Sequence, residues 1–311
     1  MTSVIIFGPT GQVGSVAART AAELGAKVWL AMRDTKKSIP GLTQDIEKTG
    51  GFCRIKADLQ EPETVSQAVK TSGAKRAFIY LIHGAPDHLK GAIVAMKAAG
   101  IELVVFLSSF TIPTNLSLRE IPSSDMIPHL HAQAEANLED TFGSDHYVAV
   151  RAGCFITNLL VEKDGIAAND VKLLCGGLFE QDNITPSDIG RVIANILVSG
   201  PRNGQNKVYL YGPEVLSMHD SIAKIGKALG KDMTITARSP EETYDKLIGS
   251  GIPAASAKHM VDLWSIKGTD KGNGVRWPCY EEGVNNVELY TGKPATSLGD
   301  WVEENKAIFS A

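Results

Sequence analysis

The sequence is short of several features that would commit it to one class of protein. Charge of one sign is not in excess: 31 Lys+Arg stand against 35 Asp+Glu, a formal net charge of −4. Such a chain exerts no global pull on polyanions, so nucleic acid is not an implied partner. Cysteine is sparse, and Cys53, Cys154, Cys175 and Cys279 form neither a CxxC nor a zinc-type spacing. Apolar runs are short; Val4–Phe7 and Val104–Leu107 fall far below the ~20 residues that span a bilayer. The opening MTSVIIFG lacks a charged region followed by an apolar signal core. No internal repeat and no low-complexity linker interrupts the 311 residues. These absences leave a soluble protein of a reducing compartment, expected in the cytoplasm, with no membrane partner. Nothing in the pattern fixes its oligomeric state.

What is present is a regular alternation of short β-branched runs with helical periodicity, which predicts a parallel sheet flanked by helices. Strands are expected at Val4–Phe7, Lys27–Met32, Cys53–Ala57, Ala77–Ile82, Val104–Leu107 and Tyr147–Arg151. Between the first two, Val13, Val16, Ala17, Thr20 and Leu24 recur at helical spacing. Further on, Thr185-Pro186-Ser187-Asp188 is a helix start, with a cap residue, Pro at the first position and an acid in the first turn. Val208–Tyr211 returns as a seventh strand, and Ser217–Gly230 is an amphipathic helix. The expected fold is therefore α/β: a Rossmann-type doubly wound parallel sheet with a smaller, mostly helical C-terminal substrate domain. The boundaries read as 1–155 for the dinucleotide-binding domain, with 185–212 returning to it. Residues 156–184 and 213–311 then form the smaller cap.

The sharpest local signal follows the first strand: Gly8-Pro9-Thr10-Gly11-Gln12-Val13-Gly14. Glycines at these places permit a tight turn and close backbone approach, so that amide groups and a helix dipole can hold a pyrophosphate. The spacing is G-x-x-G-x-x-G, and its position between a first strand and a first helix supports dinucleotide binding. At the end of the second strand Arg33 precedes Asp34, with Lys36 and Lys37 after them. An acid there would take the ribose of NAD, whereas arginine accepts a 2′-phosphate in planar, bidentate fashion. Arg33 with Lys37 as a second cation points to NADP(H); Asp34 as the ribose contact is the alternative.

Together these residues resemble the NmrA-like branch of atypical short-chain dehydrogenases, kin to isoflavone reductases and phenylcoumaran benzylic ether reductases. The resemblance runs from Val4 to about Pro253. Besides the glycine turn, its carriers are Ala57-Asp58-Leu59, Phe106-Leu107-Ser108-Ser109, Arg151-Ala152-Gly153-Cys154-Phe155 with Asn158, and Asp188-Ile189-Gly190. It implies that Asp58 and Leu59 face the adenine and that Ile82, His83 and Gly84 pass the adenine ribose. It further implies Ser108 and Ser109 near the nicotinamide ribose, Gly153, Cys154 and Phe155 at the nicotinamide, and Asn158 at the substrate. Cys154 also reads simply as a small apolar thiol, and Tyr80, within an apolar strand, reads as core.

The sequence departs from ordinary short-chain dehydrogenases in having no Tyr-x-x-x-Lys pair, whose lysine would lower the tyrosine pKa for proton transfer. The ether-reductase relatives carry a lysine on the following helix instead. Alignment on Leu138 and Glu139 places His131 at that position. Imidazole titrates near neutrality and can act as a general acid, so His131 is the catalytic candidate. His129 and His131 make an H-x-H pair but lack a third ligand at suitable spacing, so no metal is expected. Trp264, Trp277, Tyr280 and Tyr290 fit either a flat substrate pocket or helix packing. Two functions follow: an NADPH-dependent reductase of a small aromatic or enone-type carbonyl compound, or a non-catalytic NADP(H) redox sensor.

Overall fold

The computed structural model describes residues 2–265 and 277–309. The first part of the chain runs β1 (Ser3–Phe7), α1 (Gln12–Glu23), β2 (Lys27–Met32), α2 (Gln44–Thr49), β3 (Phe52–Lys56), α3 (Pro62–Ser72), β4 (Arg76–Tyr80), α4 (Lys90–Ala99), β5 (Leu103–Ser109), α5 (Met126–Phe142) and β6 (Tyr147–Ala152). It continues with α6 (Lys163–Ala168), β7 (Asp170–Leu174), β8 (Glu180–Gln181), α7 (Pro186–Ser199), β9 (Lys207–Leu210), β10 (Leu216–Ser217) and α8 (Met218–Ala228). The last elements are β11 (Thr234–Arg238), α9 (Pro240–Gly249), α10 (Ala254–Ser265), α11 (Tyr280–Thr291) and α12 (Leu298–Glu304).

Two compact units divide the chain. Unit 1 comprises 1–152, 186–210 and 278–294; unit 2 comprises 153–185, 211–277 and 295–311. Unit 1 is built on a seven-stranded parallel sheet in the order β3-β2-β1-β4-β5-β6-β9. Its inner strands are largely apolar because helices cover both faces, whereas the edge strand β3 carries Arg54 and Lys56 and is only half-buried. On one face Val65, Val69, Ile93, Met96 and Leu138 pack with Ile5, Ile79 and Phe106 in a single core. On the other, α1 lies against α7 so closely that a Cβ on Gly190 would stand 2.6 Å from Val16 and 2.9 Å from the Val13 carbonyl. The Asp188-Ile189-Gly190 motif thus has a packing cause: glycine lets α7 reach the helix that opens at the glycine turn.

Sheet order reverses between β1 and β4, and open parallel sheets bind ligands outside the strand ends at such a point. The apolar run from Ala77 continues past the ladder, so β4 ends at Tyr80, and Leu81 and Ile82 lie beyond it. Residues 278–294, read from the sequence as part of the cap, belong to unit 1. Val287 and Tyr290 of α11 are buried there, and the Tyr290 hydroxyl accepts the Arg202 N–H at 2.9 Å.

Unit 2 has its own core, in which Ile156, Leu173, Phe179, Ile222, Trp264, Trp301 and Phe309 are buried. Helices dominate it, but it also holds two small sheets, β7 with β11 in parallel and β8 with β10 antiparallel. Trp264 is a core residue there, as helix packing requires. Residues 266–276 and 310–311 of the expected cap lie outside the described residues. No described helix is long and apolar enough to cross a membrane.

Candidate dinucleotide site

At the end of β1 the chain turns at Gly8, whose φ of +69° is a backbone state that favours glycine. Its N–H donates to the Ala31 carbonyl of β2 at 3.2 Å, and its own carbonyl accepts from Gly11 N–H at 3.1 Å. A Cβ on Gly8 would meet the Tyr80 ring at 2.4 Å, and one on Gly14 would meet the Gly8 carbonyl at 2.3 Å. Gly11 is different: the nearest atom to its added Cβ is the Gly8 oxygen at 3.4 Å, an ordinary contact. Packing within the protein fixes glycine at 8 and 14 but leaves 11 open to the outside. Thr10, Gly11 and Gln12 are exposed, Val13 and Gly14 buried. No side chain caps α1 at Gly11 and no acid lies in its first turn, so the positive end of the helix dipole is uncompensated.

Beside this turn is a cleft of about 390 Å³. Gly8 and Thr10 enter it from the turn, Arg33 and Lys37 from the end of β2, Asp58 and Leu59 from the end of β3, and Ile82 and His83 from beyond β4. Among the described residues neither Arg33 nor Lys37 has an ion-pair partner, and both are exposed. The Asp34 carboxylate accepts the Lys36 N–H at 2.9 Å and so spends an oxygen on its own loop. Gly84 follows His83, exposed and with φ +84°. An uncapped helix N-terminus beside two exposed cations without ion-pair partners among the described residues fits a dinucleotide bearing a 2′-phosphate.

Tyr80, expected in the core, is half-buried and lines the cleft. Its ring covers Gly8, and burial raises its hydroxyl pKa, with Asp58 adding to the rise and Arg33 opposing it. Gln60 is a further lining residue that sequence reasoning passed over. Both sit at strand ends beside motifs that were recognised, and that adjacency was the available signal.

The remaining residues of the expected site lie elsewhere. At the end of β5 the Ser108 hydroxyl donates to Glu135 at 2.5 Å, and Ser109 pairs with Thr111 at 2.8 Å; both serines are buried. Glu135 also takes a bidentate contact from Arg151 at 3.1 and 2.7 Å, and Arg151 reaches the Tyr209 hydroxyl at 2.9 Å. His131, half-buried on α5, has its ring 6.0 Å from that of Phe106 and a buried Nδ1 without a hydrogen-bond partner. Burial, then the neighbouring His83 and Arg151, push its pKa down to about 3. Its imidazole is therefore neutral at physiological pH and holds one proton rather than two, which corrects the expectation of an acid titrating near neutrality. His129 Nδ1 meets the Ile121 carbonyl at 2.7 Å. Among the described residues no group of three His, Cys, Asp or Glu is placed to hold a metal.

In unit 2, the Cys154 N–H donates to the buried Asp182 carboxylate at 2.7 Å and Gly212 N–H does so at 2.9 Å. A Cβ on Gly153 would fall 2.3 Å from that carboxylate, so glycine is required there by packing. Burial pushes the Asp182 pKa up to about 7 against the pull of backbone N–H donors. Phe155 forms a bridge to Ile184, and Asn158 is exposed.

The NmrA-like family profile matches residues 1–301. The chain belongs to the NmrA-like family. A nitrogen metabolite regulation-like protein, bik4, from Gibberella fujikuroi is 35% identical to this NmrA-like protein over 97% of the chain and 96% of the relative. An NAD(P)H azoreductase from Xenophilus azovorans is 23% identical, covering 99% of each. Among solved structures, an NADPH-dependent quinone oxidoreductase from Escherichia coli, complexed with NADPH, superposes on the NmrA-like chain with a TM-score of 0.73. It is 19% identical, over 97% of this chain and 99% of the other.

Proposed function

We propose that the chain is an NADP(H)-dependent reductase of a small conjugated carbonyl compound, aromatic or enone-type, and acts in the cytoplasm. The observation that carries this reading is the cleft at the sheet's switch point, where the glycine turn before the uncapped α1 meets Arg33 and Lys37, two exposed cations without ion-pair partners among the described residues. When bound, the nicotinamide would supply a hydride. The glycine turn and the N-terminal end of α1 would hold the pyrophosphate, and Arg33 with Lys37 the 2′-phosphate. Asp58 and Leu59 would border the adenine, and His83 and Gly84 the adjoining ribose. The backbone near Ser108 and Ser109 completes the proposal on the nicotinamide side within unit 1.

His131 acts in this reading as a neutral imidazole, because its environment disfavours the imidazolium. It can donate one hydrogen bond to a carbonyl oxygen but does not carry a spare proton. The proton then comes from water, which suits an acceptor whose hydride adduct is a stabilised anion, as with a quinone. Relatives named for azo and quinone reduction support a conjugated acceptor. The test is NADPH consumption by the purified protein with a panel of quinones and enones: turnover with at least one acceptor is expected.

A second reading has its own support. The relative at 35% identity is named as a regulation-like protein, and the chain lacks a Tyr-x-x-x-Lys pair. A sensor would bind NADPH, consume none with any acceptor, and change its assembly between NADP+ and NADPH. Binding without consumption would therefore replace the reductase reading with this one.

A further inference from the structure

The loop between β2 and α2, which carries Arg33 and Lys37, is held from behind by a side chain that does not line the dinucleotide cleft. Arg54 is the third residue of β3, paired in register with Leu30 of β2. Its Nη1 donates to two main-chain carbonyls of the loop, Thr35 at 2.6 Å and Lys37 at 2.7 Å. The other edge of the guanidinium is taken by Glu47 of α2, with Nε to Oε2 at 2.7 Å and Nη2 to Oε1 at 2.5 Å. Both side chains are mostly buried, and the Glu47 hydrogen bond, against the cost of burial, raises the Arg54 pKa. A separate hollow lies beside this clamp, lined by Thr35, Lys36, Glu47 and Arg54 among others.

Three separate acceptor groups are satisfied by one planar fork, which an ammonium on a flexible stem cannot reproduce. Glu47 also neutralises the guanidinium, so Arg54 adds little field to the cleft. What it fixes is shape: the carbonyl of Lys37 itself and that of Thr35 two residues before. With Asp34 closing the turn onto Lys36 N–H, the path of residues 33–37 is set from within the loop and from beneath it.

We infer that Arg54 is a positioning residue for cofactor choice, holding the loop so that Arg33 and Lys37 converge on one 2′-phosphate, with Glu47 orienting the guanidinium. This rests on the NADP(H) reading above. Without the clamp, the two cations lose their common target while the glycine turn, on another loop, keeps its amides. Preference for the phosphorylated dinucleotide should therefore fall, and binding of the unphosphorylated one should not.

The experiment is calorimetric titration of wild type, Arg54→Gln, Arg54→Lys and Glu47→Gln with NADPH and with NADH, with a thermal melt of each. Wild type is expected to bind NADPH more tightly. Arg54→Gln should reduce that preference about tenfold with NADH affinity kept within about twofold, and Arg54→Lys and Glu47→Gln should fall between. An unchanged preference in folded Arg54→Gln overturns the inference, as does an equal loss for both dinucleotides, which a merely structural role would give. Should Arg54→Gln not fold, an unchanged preference in Glu47→Gln overturns it. Equal wild-type affinities for NADPH and NADH overturn the NADP(H) reading itself, a result distinct from the others.

Discussion

Unit 1 treats two arginines in opposite ways. Arg33 stands exposed at the end of β2 with no ion-pair partner among the described residues, beside an open cleft. Arg151 on β6 is 2% exposed and closed upon Glu135 and Tyr209. A buried pair of this kind has already exchanged water for its partner, and its field is cancelled locally. The exposed cation remains available to a ligand. The difference teaches where recognition can reside: in charge that the fold positions but leaves unspent, as Arg54 positions the loop of Arg33. Charge that the fold consumes is architecture, even where it sits beside residues of an expected site, as Ser108 does.

The contrast can be broken most forcefully at the closed end. Glu135→Gln leaves the Arg151 guanidinium buried without its carboxylate, and removing one partner of a buried pair costs about 3–5 kcal/mol. Urea unfolding should show that loss, and a change under about 1 kcal/mol would mean the pair behaves as an exposed one. At the open end, Arg33→Ala should leave stability unaltered and weaken NADPH binding about ten- to hundredfold, roughly 1.4–2.8 kcal/mol, with NADH little affected. Calorimetry reads both, and a stability loss equal to that of Glu135→Gln would erase the distinction.

Acid should sharpen the comparison in a different way. His131 has a folded pKa of about 3 against about 6.5 in an unfolded chain, so between those values the unfolded state binds the extra proton. Stability is complete above pH 6.5 and falls as pH drops, by about 2 kcal/mol at pH 5. His131→Gln should remove about one proton from the slope of unfolding free energy against pH. Asp182 works in the opposite direction: its folded pKa of about 7 lies above its unfolded value, so its burial penalty is full above pH 7 and relieved on acidification. Unfolding at several pH values, with and without His131→Gln, separates the two.

The smallest expected effect concerns Gly11. A Cβ there meets only the Gly8 oxygen at 3.4 Å, and its φ of −81° suits alanine. Gly11→Ala should therefore change stability by no more than about 0.5 kcal/mol while weakening dinucleotide binding. Gly14→Ala, whose Cβ would strike the Gly8 carbonyl, should be plainly destabilising in a thermal melt.

Six of the seven central strands were legible as largely apolar runs between helical periods, and β3, which carries Arg54 and Lys56, by its place in the alternation. The small sheets of unit 2 were not. Residues of β11 are mostly exposed or half-exposed, so they carry no apolar signal, and β8 and β10 are two residues each. The glycine turn and the cations after β2 were legible as local patterns in one stretch of sequence. The hold of Arg54 on the loop was invisible for a physical reason: besides Glu47, its partners are main-chain carbonyls 17 and 19 residues away, which every residue possesses. Arg151 stood in a recognised motif, but its pairing with Glu135 escaped notice because neither burial nor the pairing of residues 16 apart leaves a mark in composition. His131 was found by position, but its titration depends on neighbours that only the fold assembles.

The glycine at 190, lodged against α1, bears on the order in which the protein can be made. The helix that opens the dinucleotide site has its outer flank completed by α7, and β9 and α11 close the sheet later still. A ribosome that has delivered only the first 152 residues has delivered the glycine turn without its buttress, and domains mature as units during synthesis. Unit 1 is therefore complete in sequence only after the chain has passed through the first segment of unit 2 and returned, although it begins at the first strand.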